Sequence, residues 1–140
     1  MKFRFIVLAI VLIQVSIVSA GELNTEQKKE LVTDFCYALQ ASGSCPDLNI
    51  RLDTEDKVEA LVGDKVRGGG SPYSDVCMEG IIQATQDESR GLCQLAWQQY
   101  GCWGSKMPTL LYQRDDFCKF DSKIAGLHTE IALHKKARQK

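Results

Sequence analysis

The sequence predicts an all-α fold, a compact disulfide-stapled bundle of about five helices. Three observations carry that expectation. Apolar residues recur at helical spacing through most of the chain. Nowhere do β-branched residues alternate over five positions, as a half-buried strand would require. Six cysteines lie on, or just past, the apolar stripes of the expected helices. At 140 residues the chain holds one small domain.

The first 20 residues read as a secretory signal peptide. Lys2 and Arg4 form a positive start, residues 5–18 are apolar apart from Gln14 and Ser16, and Val18-Ser19-Ala20 supplies small residues ahead of a cleavage before Gly21. The apolar run is shorter than the ~20 residues of a membrane span, and no second one follows. The expected product is therefore a soluble, secreted, extracellular domain of residues 21–140, with no transmembrane segment. No KDEL-type signal, GPI-type tail or N-glycosylation sequon is present.

The helices follow in order. Residues 24–40 open with Asn24 and Gln27 in capping-box spacing and carry a stripe of Leu31, Val32, Phe35, Cys36 and Leu39. Lys28, Lys29, Glu30 and Asp34 fall off that stripe, and Gly43 is the expected stop. Residues 53–66 bring Val58, Leu61, Val62 and Val66 to one face, with Glu55 and Asp56 in the first turn, where the helix dipole favours acids. Gly68-Gly69-Gly70-Ser71-Pro72 breaks the chain, since three glycines cost too much backbone entropy for a helix. Ser71 is the expected cap and Pro72 the first residue of the next helix, which runs to about 86 through Val76, Cys77, Ile81 and Ala84.

Residues 87–100 carry Leu92, Cys93, Ala96, Trp97 and Tyr100. Whether 87–91 breaks the helix or continues it stays open at this level. Gly101 and Gly104 stop the helix and Met107-Pro108 is extended. A fifth helix is expected over 109–120 with Leu110, Leu111, Phe117 and Cys118 inward. Ser122 then caps a last segment carrying Ile124, Leu127 and Ile131.

Cys36, Cys45, Cys77, Cys93, Cys102 and Cys118 all follow the cleavage point, and an even count in an exported chain reads as three disulfides. Zinc is the weaker reading, because no two cysteines are closer than nine positions and both histidines lie beyond Cys118. Fifteen pairings are possible, and spacing does not choose among them. Cys36, Cys77, Cys93 and Cys118 are expected to face neighbouring helices. A C-x8-C unit occurs twice, over 36–45 and 93–102, as a duplicated helix-plus-turn or as coincidence.

Catalytic patterns are missing. Gly69-Gly70-Ser71-Pro72-Tyr73 lacks the last glycine of a hydrolase elbow, and neither His128 nor His134 sits in a zinc-protease motif. Asp115-Asp116 and Asp87-Glu88 read as solvated helix faces. The expectation is a non-enzymatic protein without metal or cofactor.

Binding features are more pronounced. Trp97, Tyr100, Trp103 and Met107 crowd around the helix end at Cys102, and interfaces favour such side chains. Trp97 reads as core; Trp103, Tyr100 and Met107 are the candidate binding residues. The second feature is charge. Residues 21–122 carry 10 basic and 17 acidic side chains, whereas 123–140 carry five basic ones and only Glu130. In that basic tail, Lys135, Lys136 and Arg138 are candidates for contact with an anionic surface. The overall charge of −1 argues against a nucleic-acid binder.

The expected function is a secreted toxin or effector of venom or salivary type that binds a protein receptor or ion channel. An endogenous hormone and a carrier of small apolar ligands are the alternatives. For the carrier, the Cys93-x8-Cys102 interval resembles one interval of insect odorant-binding proteins. That resemblance implies a helical scaffold around an apolar cavity, although the C-x3-C pair of those proteins is absent and Cys118 comes later than in their pattern.

Overall fold

Asn24 opens the first helix as its local sequence requires. In the computed structural model, which describes residues 22–113, Asn24 Oδ1 accepts the Gln27 amide at 2.9 Å and Gln27 Oε1 accepts the Asn24 amide at 3.0 Å. This reciprocal box satisfies two donors at the helix end that have no intrahelical partner. Helix α1 spans Thr25–Ser44, one turn beyond the expected stop, because Gly43 is held inside the helix and the Cys45 amide still reaches the Ala41 carbonyl at 2.8 Å.

α1 is the central element. Every residue from Asp34 to Ala38 is buried, as expected for a helix packed on several sides. Strand β1, Leu48–Ile50, follows and leads to helix α2, Thr54–Val62. α2 stops four residues earlier than its apolar pattern predicts. Gly63 takes a left-handed φ of 82° and returns its amide to Glu59 O at 2.8 Å, a helix stop that L residues make reluctantly. Val66 still packs in the core, its amide held by Glu59 Oε1 at 3.1 Å. Arg67 clasps both carboxylate oxygens of Glu55 at 2.6 and 2.7 Å, which closes the glycine-rich turn back on the start of α2.

Helix α3 spans Ser74–Asp87, so Ser71 and Pro72 are not its cap and first residue. Ser71 instead organises the turn before it: its hydroxyl donates to Lys65 O at 2.5 Å and accepts the Tyr73 amide at 3.1 Å. A 3-10 turn, Glu88–Arg90, and Gly91 at φ 89° then separate α3 from helix α4, Leu92–Tyr100. The open question over residues 87–91 is therefore settled as a break.

The largest departure is at residues 109–113. They do not start a fifth helix: Leu111–Gln113 is strand β2, antiparallel to β1 in the register Leu48↔Gln113, Asn49↔Tyr112 and Ile50↔Leu111. Periodicity marked Leu110 and Leu111 as inward, and both are fully buried. The strand exists because β1, 61 or more residues earlier in the chain, supplies its hydrogen-bond partners, a non-local fact that a periodicity reading does not contain. The fold of the described residues is thus helix-rich, with four α-helices and one two-stranded sheet. The rest of the expected fifth helix and the segment after Ser122 lie outside the described residues, as does the signal peptide.

α1 packs most extensively on α3, where Gly80 sets the distance. A Cβ placed there would lie 2.3 Å from Thr33 O, 3.0 Å from Tyr37 N and 3.2 Å from Cys36 Cβ. Beside it, the Cys36–Cys77 disulfide joins α1 to α3 across 41 residues of sequence. A second disulfide, Cys45–Cys93, ties the end of α1 to the start of α4. Cys102 is disulfide-bonded as well, and Cys118 lies outside the described residues. Cys93 does not face inward as expected; it is exposed, because the inward face of α4 is Leu92, Ala96 and Tyr100. The bridge runs from that rim to the buried Cys45.

Candidate interaction surface

Gly101 ends α4, and the following loop turns back over the helix end. The amides of Gly104, Ser105, Lys106, Met107 and Thr109 donate to the carbonyls of Gly101, Gln98, Gln99, Gln99 and Gly101 at 2.7–3.1 Å. The last carbonyls of a helix lack intrahelical donors, and this loop provides several of them. The fit leaves no room at Gly104, where a Cβ would stand 2.4 Å from Gln99 O. Thr109 is held at a φ of 66°, a conformation that β-branched residues rarely adopt and that persists only when the surroundings enforce it.

The loop is pinned from below. Cys102 and Met107 are buried, and Tyr100, also fully buried, sits beneath them at the end of α4. Tyr100 donates its hydroxyl to Asp34 Oδ1 at 2.7 Å, and Tyr37 donates to Asp87 Oδ2 at 2.7 Å. The two rings lie 5.4 Å apart at a 47° tilt. Lys106 from the loop places its Nζ 3.9 Å from Asp34 Oδ1 and 5.9 Å from the centre of the Tyr100 ring. Arg90 caps the other end by bonding Asp87 Oδ1.

Burial, reinforced by the bond to Asp87, pushes the Tyr37 hydroxyl well above its ordinary pKa. Burial, followed by the neighbouring Tyr37, does the same to Tyr100. The Tyr37 hydroxyl bond holds Asp87 below the usual aspartate value; burial opposes this, and Arg90 adds to the lowering. Both phenols therefore stay protonated as donors. The network joins α1, the end of α3, α4 and the loop through hydrogen bonds that a buried carboxylate needs.

Of the sequence-predicted binding residues among those described, only Trp103 is on this surface, 88% exposed. Tyr100 and Met107 are core residues, each 0% exposed, a correction with a simple cause: the loop folds back over the helix end, so an aromatic and a Met that read as a surface cluster become its base. Trp97 is partly buried against the core, in line with its reading as a packing residue. Lys135, Lys136 and Arg138 lie outside the described residues.

Some features escaped the sequence reading. Asp34 was placed off the apolar stripe, yet it is 4% exposed; no local signal marks it, because its partner Tyr100 is 66 residues away. On α3, Met78 and Ile82 are 52% and 48% exposed. A helical wheel would have found them, four residues apart and away from Cys77 and Ala84. Leu52 projects fully from the turn before α2.

Surface depressions flank the Cys45–Cys93 bridge. One of about 240 Å³ is lined by Pro46, Leu48, Gln94, Trp97 and Gln113, and another of about 670 Å³ by Ser44, Glu88, Gly91, Leu92 and Gln94. Both open to solvent. Among the described residues no group of three or more His, Cys, Asp or Glu side chains is arranged to hold a metal ion, and no helix is long and apolar enough to cross a membrane. No protein-family model matches the chain, and no curated protein or solved structure was found to resemble it.

Proposed function

We propose that the protein is an exported, non-enzymatic ligand of the toxin or effector type, which binds a protein receptor or ion channel with Trp103 as its anchor. The observation that carries this reading is the presentation of Trp103. A large aromatic side chain stands 88% exposed on a loop whose backbone is tied to α4 by three amide hydrogen bonds, to Gln98 and Gln99, and to the adjoining Gly101 by two more. Exposing a Trp wastes the burial of one of the largest apolar side chains. A rigid loop lowers the entropy cost of using it, since little ordering is left for the moment of binding. Export is supported by the disulfides, which persist in oxidising compartments.

The test compares labelled protein comprising residues 21–140 with its Trp103→Ala variant, in saturation binding to membranes that express a panel of channels and receptors. A hot-spot anchor is worth about 2 kcal/mol or more, so the variant should bind about thirty-fold more weakly at the responsive target. Its thermal unfolding should match that of the parent. Equal binding by the two proteins would overturn the reading, and an apolar small molecule released on denaturing source-purified material would replace it with the carrier.

A further inference from the structure

The two bridges with both ends among the described residues differ in their access to solvent. Cys36 and Cys77 are 0% and 3% exposed, buried between α1 and α3 beside the close approach at Gly80. Cys45, at the end of α1, is 2% exposed, but its partner Cys93 is exposed in the first turn of α4. Cys93 also lines both depressions that flank the bridge, of about 240 and 670 Å³. The larger falls within the ~300–1,000 Å³ range of small-molecule sites. Attack on a disulfide needs access to one of its sulfurs, and of these four cysteines only Cys93 offers it.

We propose that Cys93 is a thiol-exchange site for a small cationic aliphatic thiol. The incoming thiolate attacks Cys93 Sγ and forms a mixed disulfide there. The Cys45–Cys93 bond breaks, and its electron pair leaves on Cys45 Sγ, which takes a proton from water. A second thiolate then attacks the outer sulfur of the mixed disulfide, releasing Cys93 as a thiolate together with a small-molecule disulfide. Two thiols thus supply the two electrons that reduce the bridge.

Position governs the reverse step as well. A thiolate on Cys93 stands at the N-terminus of α4, where the helix dipole favours negative charge. Cys45 belongs to the buried core, where a thiolate is disfavoured. The first step is therefore readily reversed: Cys45 attacks Cys93 Sγ and expels the small thiol. Cys45 stays in place for this while the bridge is open, because Cys36–Cys77 holds α1 on α3 and the Tyr100–Asp34 bond holds α4 on α1.

Charge selects the thiol. Asp47 lines one depression and Glu88 the other, both exposed, and among the described residues no Lys or Arg lines either. A carboxylate on each approach attracts a cation and repels an anion. None of these residues belongs to the Trp103 loop, so the site is independent of the receptor reading.

The experiment exposes the oxidised 21–140 protein, under native conditions, to cysteamine or to glutathione at equal thiolate concentration. Samples are quenched in acid, alkylated and mapped by peptide mass spectrometry. The expected first product carries cysteamine on Cys93 and an alkyl group on Cys45, before Cys36 or Cys77 is labelled. Glutathione should form its counterpart several-fold more slowly, with the gap narrowing in high salt. First labelling at any other bridge, a first adduct on Cys45, or opening only at urea concentrations that unfold the chain would overturn the proposal. Glutathione reacting as fast as cysteamine would do the same. Once free thiol is removed by gel filtration, the adduct should disappear without added oxidant, and its persistence counts against the exchange site.

Discussion

Two glycines in helices of this protein should respond to the same substitution with opposite signs. Gly80 lies where α1 and α3 cross, and the Cβ of an alanine there would stand 2.3 Å from the Thr33 carbonyl oxygen. That is about 1 Å inside an ordinary contact, and the obstacle is backbone on a helix tethered nearby by Cys36–Cys77. Overpacking of this kind costs ~1–3 kcal/mol, while replacing a helical glycine by alanine returns ~1 kcal/mol. The net expectation for Gly80→Ala is a loss of up to about 2 kcal/mol. At Gly43, inside α1, a Cβ meets nothing within 4 Å and φ is not left-handed. Gly43→Ala should therefore stabilise by up to ~1 kcal/mol through helix propensity and the unfolded chain. The assay is urea unfolding with disulfides intact, read by circular dichroism at constant m-value. If Gly80→Ala gained stability as Gly43→Ala does, the close α1–α3 crossing would be wrong.

Three further outcomes are expected. Tyr37→Phe removes the hydroxyl that holds Asp87 in its ionised form, and should cost about 1.5–3 kcal/mol at neutral pH, the range for bonds to charged groups. Because the folded pKa of Asp87 is lowered, its contribution is present above the unfolded value of ~3.9 and is lost as pH falls through the lower folded one; stability measured between pH 6 and 2 should show a shallower acid limb in the variant, and an identical limb would refute the role of that hydroxyl. Replacing Cys36 and Cys77 together by alanine frees a 41-residue separation, for which chain entropy gives about 4 kcal/mol; a loss under 1 kcal/mol in denaturant titration would show that the α1–α3 packing needs no tether. Protein recovered from the medium of a secreting host should begin at Gly21 on N-terminal sequencing, and a start at Met1 would refute the signal peptide.

What the sequence alone determined was local. The start of α1 was legible at Asn24 because a capping box closes within four residues, and each helix was visible because one apolar stripe repeats every three to four positions. The break around 68–72 was equally local, a consequence of three consecutive glycines. What the tertiary structure decided depends on partners distant in the chain. The choice of Cys36 with Cys77 and Cys45 with Cys93 was one of many that spacing allowed. Asp34 turned inward because Tyr100 offered a buried hydroxyl, and 111–113 became a strand because 48–50 lay alongside. The candidate surface divides in the same way. Trp103 could be chosen from its place between Cys102 and Gly104, but the burial of Tyr100 and Met107 follows from the loop folding back over α4. A chain records its own periodicity and its caps; which face then meets solvent depends on what packs against it, and that is set only when distant segments close on one another.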